Sequence, residues 1–125
     1  MSRQGHLTVA GIAVVLGVLC LAWGRAQAPG AWLVRGYLGD VVIVIFLVAT
    51  LGAVTSLALI TRLALILAVA VGLEFFQVWH HQRGVAGVAL GTTFDPYDLC
   101  AYSLGALIIW ALERRCALHR SPSIG

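Results

Sequence analysis

From Leu7 to Trp23 the chain carries no charge at all. Three more long apolar stretches follow, each with one acid: Tyr37–Ile60 with Asp40, Leu63–Trp79 with Glu74, and Tyr97–Leu112 with Asp98. A hydrocarbon core about 30 Å thick is crossed by roughly 20 residues of helix at ~1.5 Å per residue. Backbone inside that core must satisfy its own hydrogen bonds, so helices are the expected form. Composition agrees. Hydrophobic residues make up 61% of the 125 and charged residues 10%, against about half and about a quarter in soluble domains. The expectation is an all-α membrane protein, four transmembrane helices in a compact bundle. One integral membrane domain covers 1–125, with spans at about 7–23, 37–60, 63–79 and 97–112.

The first run also has features of a signal peptide, with Arg3 before it and Ala26-x-Ala28 after it. Its length, and the Pro29 that cleavage would expose, favour a retained span. Gly24–Gly36 reads as the first break, with Trp23 and Trp32 suited to a membrane interface. Arg62 marks the second break, so the middle spans form a tight antiparallel hairpin. His80–Asp95, dotted with glycine, reads as the longest loop. Asp95-Pro96 is a helix start, with the aspartate as cap and proline in the first turn. Glu113-Arg114-Arg115 ends the last span, and Cys116–Gly125 reads as a frayed tail. Ala13 with Gly17, and Ala64, Ala68 and Gly72, recur at four-residue spacing and offer smooth faces for close helix packing.

Four spans put both termini on one side. Arg3, Arg62, Arg114, Arg115 and Arg120 fall on that side, against Arg25, Arg35 and Arg83 on the other. The positive-inside rule then predicts a multi-pass protein of the cell inner membrane with both termini cytoplasmic. All eight basic residues are arginine, and they sit at segment ends. That is not a basic stripe interleaved with aromatics, so no nucleic-acid partner is expected. Cys20, Cys100 and Cys116 have no paired spacing and read as small hydrophobes rather than disulfides or zinc ligands. No cofactor and no metal is expected. His80 and His81 point about 100° apart on a helix and cannot share a face. Asp95-x-x-Asp98 alone supplies too few oxygens for a hard cation. No serine-nucleophile or phosphate-loop motif is present, so no catalytic residue is assigned.

This topology gathers Asp40, Glu74 and Asp98 at the outer end, with Arg83 on the same side. An acid within a span faces a bundle interior or wet cavity and finds a partner there. Glu74 and Gln77 share a helix face with Ala70 and His81. Asp98 and Tyr102 share another with Ala101 and Gly105. Each has a purely structural explanation as well. Asp40 and Asp98 suit the first turns of helices, where the dipole favours acids, and Glu74 suits an interhelical ion pair. The candidate polar cluster is Asp40, Glu74, Gln77, Arg83, Asp98 and Tyr102.

Gly39-Asp40, Glu74-x-x-Gln77, and Thr93-Phe94-Asp95-x-x-Asp98-Leu99-x-Ala101-Tyr102-x-x-Gly105 together resemble the bacterial membrane family called domain of unknown function 2809. The resemblance covers nearly the whole chain. More distantly the pattern is similar to VanZ-like membrane proteins, which show an acid-x-x-Gln, an Arg, and an Asp followed by Asn and Gly. Tyr102 stands where those proteins have the Asn. VanZ-like proteins are associated with resistance to the glycopeptide teicoplanin, and the resemblance implies no mechanism for this chain. The expected function is a polar pocket near the outer face that binds or remodels an envelope lipid or lipid-linked precursor. The alternatives are a structural or accessory subunit, with a homo-oligomer or membrane-protein partner, and a proton-coupled transporter.

Overall fold

A computed structural model describes residues 1–26, 29–81 and 96–118, and within these the side chains of Arg35, residues 77–81 and Pro96 lie outside the description. The described residues form four long helices and no strand. They are α1 (Arg3–Arg25), α2 (Ala31–Val54), α3 (Leu59–His81) and α4 (Pro96–Leu118). Three of them, α1, α2 and the Leu59–Phe76 part of α3, are long and apolar enough to cross a membrane. The fourth is as long as α1, but its apolar stretch is confined between Asp98 and Glu113.

The helix ends follow local chemistry. Ser2 caps α1, its Oγ accepting the Gly5 N–H at 3.1 Å, the usual use of serine at this position. Gly30 turns the chain at φ 75°, a left-handed conformation that favours glycine. Helix resumes at Ala31, so the expected break over Gly24–Gly36 shrinks to a short turn. Trp32 lies in the first turn of α2, which passes through a π-helical stretch at Val34–Leu38. Apolar surroundings leave the backbone of Gly36 and Gly39 no partner but the helix itself.

Two other boundaries differ from the sequence reading. The break placed at Arg62 falls instead at 55–58. Thr55 leaves the helix with φ −128° and ψ 159°, and its Oγ1 donates to the Leu51 carbonyl at 2.6 Å. Threonine and serine compete with the backbone in this way and stop helices. Arg62 therefore sits inside α3. At the other end of the chain, α4 does not stop at Glu113-Arg114-Arg115 but runs through Cys116 to Leu118. Arg114 lies over the Trp110 ring, 4.5 Å from its centroid. The start of α4 at Pro96 matches the expected helix opening. The Asp95 cap, the loop after His81 and the tail after Leu118 lie outside the described residues.

α2 is the centre of the bundle and packs against all three other helices, most extensively α1 and then α4. Small residues make those approaches possible. Ala13 is buried, and a Cβ on Gly17 would meet Val42 of α2 at 3.7 Å. A Cβ on Gly105 would come within 2.7 Å of the Val41 carbonyl oxygen, so α4 rides directly on the α2 backbone. Val44, Val48 and Ile109 are fully buried between these helices. The outward faces are a different matter. Only 11% of the apolar window of α1 is buried in the bundle, and Leu16, Val18, Leu19 and Leu21 face outward. Such a surface is a liability in water and is solvated by lipid tails.

One end of the bundle is closed by a buried ionic cluster. Arg62 of α3 forks onto Glu113 of α4, Nη1 to Oε1 and Nη2 to Oε2, both at 2.9 Å. Two further guanidinium hydrogens go to backbone. Nε donates to the Leu57 carbonyl at 3.2 Å, and Nη1 to the Val48 carbonyl of α2 at 3.3 Å. His6 of α1 completes the cluster, its Nε2 3.0 Å from Glu113 Oε1 and its Nδ1 donating to the Ser2 carbonyl at 3.0 Å. His6, Arg62 and Glu113 are all at least nine-tenths buried. Gly52 leaves the room, since a side chain there would collide with the Arg62 guanidinium and the His6 ring.

A buried pair stripped of one partner loses about 3–5 kcal/mol, more than a pair replaced as a unit. Glu113→Ala is therefore expected to lower thermal stability in detergent far more than the double variant Arg62→Met with Glu113→Leu. Size-exclusion after stepwise heating measures it, and equal loss in the two variants would contradict the ionic account.

Candidate functional site

The opposite end of the bundle carries the other acids. Asp40 lies just after the π-helical stretch Val34–Leu38, where α2 returns to regular α-helix. Asp98 lies in the first turn of α4. Glu74 comes from the far end of α3 and is buried, with 5% of its surface exposed. The helix start at Pro96-x-Asp98 places that carboxyl where free N–H groups and the helix dipole favour it, whereas Asp40 lies well inside α2, where the Gly39 N–H is already bonded to the Val34 carbonyl.

Three helices, α2, α3 and α4, bring the three acids and one phenol together. Tyr102 donates its hydroxyl to Glu74 Oε1 at 2.9 Å, linking α4 to α3. The Asp40 and Asp98 side chains are within hydrogen-bonding contact, and Glu74 is near enough to Asp40 to act on it through space. The second Glu74 oxygen, Oε2, is buried and has no hydrogen-bond partner among the described residues. Buried carboxylate oxygens are rarely left so, because desolvation without a bond is costly. The ion pairs of Glu113 with Arg62 and His6 lie at the other end of the bundle.

Of the six residues expected in the cluster, the structure thus draws together Asp40, Glu74, Asp98 and Tyr102. The side chain of Gln77 and the whole of Arg83 lie outside the described residues, as do the side chains of His80 and His81. Asp40 meets other acids rather than standing alone as a first-turn acid. No group of three His, Cys, Asp or Glu side chains among the described residues is arranged to hold a metal ion. Cys20 is buried, Cys100 and Cys116 are exposed, and all three are free thiols.

Two apolar grooves open beside this cluster. One, about 320 Å³, runs between α1 and α2 over Ala13, Val14, Gly17 and Phe46, and Asp40 is its one charged lining residue. The second, about 620 Å³, lies between α2 and α4 under Trp32, Tyr37 and Tyr97. Their rings pack edge to face, Trp32 to Tyr37 at 6.3 Å and Tyr37 to Tyr97 at 6.0 Å between centroids. Aromatic rings of this kind mark the level of lipid headgroups. The arrangement offers acceptors for hydrogen-bond donors at one level and slots for aliphatic chains beside them.

The cluster that sequence reasoning missed is His6, Arg62 and Glu113. Its signal was present, because Arg62 is a lone cation between two apolar runs and Glu113 is the only acid at that end.

Residues 30–106 match the family model described as Protein of unknown function (DUF2809). No curated protein and no solved structure matches the chain.

Leaving both Glu74 oxygens buried and unpaired costs about 1–3 kcal/mol. Tyr102→Phe is expected to destabilise the detergent-solubilised protein by that order. Removing both groups, as in Glu74→Leu with Tyr102→Phe, should restore wild-type stability or exceed it. Thermal unfolding of the three proteins gives the answer, and a Tyr102→Phe protein as stable as wild type would show that the bond is idle.

Proposed function

The chain belongs to the DUF2809 family, and from its membrane-type helices and polar cluster we propose that it binds an amphiphile of the cell envelope. The observation that carries this reading is Glu74. A carboxyl placed within an apolar helix, nine-tenths buried, has one oxygen held by Tyr102 and the other without a partner among the described residues. A residue that served packing alone would be satisfied, as Glu113 is by Arg62 and His6. Glu74 is built to receive a group from outside the chain. The apolar grooves flank Asp40 and Tyr97, which suits a ligand that arrives from the bilayer and keeps its chain there. Arg3, Arg62, Arg114 and Arg115 occupy the other end. The positive-inside rule puts that end in the cytoplasm and the acid cluster at the outer face of the inner membrane.

A second reading, an oligomer-forming accessory subunit, draws on α3. Ala64, Ala68 and Gly72 stay on the exposed face of that helix, and a Cβ on Gly72 would touch nothing. Small-residue faces of this spacing allow helices to pack closely. Chemical crosslinking in native membranes separates the two readings, because a defined homo-oligomer dispersed by Gly72→Leu supports the accessory role.

For the binding reading, lipids retained by gently purified protein are identified by mass spectrometry. Wild type is expected to hold one lipid class above its share of the membrane, and Glu74→Ala to lose it. Identical lipid profiles in the two proteins would end the proposal.

A further inference from the structure

The imidazole of His6 has one nitrogen with a fixed role and one without. Nδ1 lies 3.0 Å from the Ser2 carbonyl, which can only accept, so Nδ1 carries a hydrogen whatever the charge of the ring. Any change of protonation therefore falls on Nε2. Two groups meet Nε2 at nearly the same range. Arg62 Nη1 of α3, at 3.1 Å, can only donate, and Glu113 Oε1 of α4, at 3.0 Å, accepts as a carboxylate. A bare Nε2 accepts from Arg62, sharing the Nη1 hydrogen that otherwise serves the Val48 carbonyl at 3.3 Å. A protonated Nε2 donates to Glu113 in a charge-assisted bond. Either bond forms with the ring where it stands.

The surroundings leave this choice to the proton. Arg62 and Glu113 are the charged groups hydrogen-bonded to the ring. α2 brings Gly52 and the Val48 carbonyl to the cluster, and neither titrates. The Met1 amino group and Arg3 precede His6 on its own segment, and Arg3, like Arg114 and Arg115 of α4, is exposed. Arg62 and Glu113 cancel, so a neutral ring leaves the cluster uncharged and an imidazolium gives it one net positive charge. The choice also has a mechanical side. α1 packs along α2 and makes no close helix-to-helix packing with α3 or α4 among the described residues. His6 reaches both. We propose that His6 is a proton-operated partner switch at this end of the bundle: neutral, it ties α1 to Arg62 of α3, and protonated, it ties α1 to Glu113 of α4.

The test uses the full chain in nanodiscs, carrying His80→Gln, His81→Gln and His119→Gln so that His6 is the one imidazole left. Nitrogen NMR of isotope-labelled histidine follows the ring from about pH 5 to 9, a range that brackets an ordinary imidazole. Nδ1 is expected to stay protonated throughout, while Nε2 gains its proton as the pH falls, in a protein that remains folded. At the alkaline end the bare Nε2 should carry the shift of a nitrogen that accepts a hydrogen bond. Adding Glu113→Gln removes the anionic acceptor and should weaken the hold on that proton by about tenfold or more, the worth of one charge-assisted hydrogen bond. A histidine that serves packing alone keeps one form for as long as the protein is folded. An Nε2 that never changes form, a proton that leaves Nδ1 instead, or a titration unmoved by Glu113→Gln would overturn the proposal. Where Glu113→Gln fails to fold, the behaviour of the two nitrogens in the single-imidazole protein decides it.

Discussion

The bidentate contact between Arg62 and Glu113 holds this small bundle in register. In lipid, helices gain little from burying apolar surface against one another, because lipid tails solvate that surface equally well. Polar contacts and close backbone approach then decide which faces meet. The Arg62 guanidinium reaches Glu113 of α4, the Val48 carbonyl of α2 and the Leu57 carbonyl before α3, and His6 brings α1 to the same carboxylate. One cluster thus touches all four helices. Gly52 and Gly105 serve the same end by clearing the space in which α1, α3 and α4 can approach α2.

The two ends of α3 show contrasting solutions to the same problem. Arg62 has four of its donors engaged, two on a carboxylate and two on backbone carbonyls. Glu74, about three turns further along, has one oxygen bonded and one not. Both residues are charged side chains in an apolar helix, and both are nearly fully buried. The difference between them is completeness. A complete cluster fixes structure, and adding a ligand there would break bonds already made. An incomplete one loses nothing when a donor arrives, and the site gains a bond for each acceptor it had left open.

Much of this was legible in the sequence, and the gaps have physical causes. Uncharged runs revealed the helices because hydrophobicity over some twenty residues is a strong signal. Asp40, Glu74, Asp98 and Tyr102 could be grouped because helix direction alternates, so odd and even ends fall on opposite sides. Helix boundaries were harder. Arg62 looked like a break because charge usually marks the end of a span, yet Thr55 stops the helix by local hydrogen bonding. The same error hid the ionic cluster, since a residue placed in a connection is not asked for a buried partner. Glu113 was concealed by its neighbours: within Glu113-Arg114-Arg115 it looks like a solvated terminus, while on the helix it points inward and the arginines point out. The unpaired state of Glu74 Oε2 was not legible at all, because it depends on the distance between two helices rather than on any pattern along one.

Asp40 connects the two kinds of surface on this protein. Along α2 it is followed by Val42 and Ile43, which line the α1–α2 groove with it. Across the bundle it meets Asp98 and Glu74. A group that belongs at once to an apolar slot and to a polar cluster has a geometric consequence: anything that binds both must be amphipathic along its own length. A small polar solute has no use for the groove, and a hydrocarbon has no use for the acids. The π-helical stretch just before Asp40, at Val34–Leu38, widens the helix turn where this junction forms. Local widenings of this type recur where a helix must present side chains at angles a regular α-helix does not offer. The junction thus arises from the backbone of α2 itself, the helix that every other element packs against, and the most central element of the fold also carries the residue that joins slot to cluster.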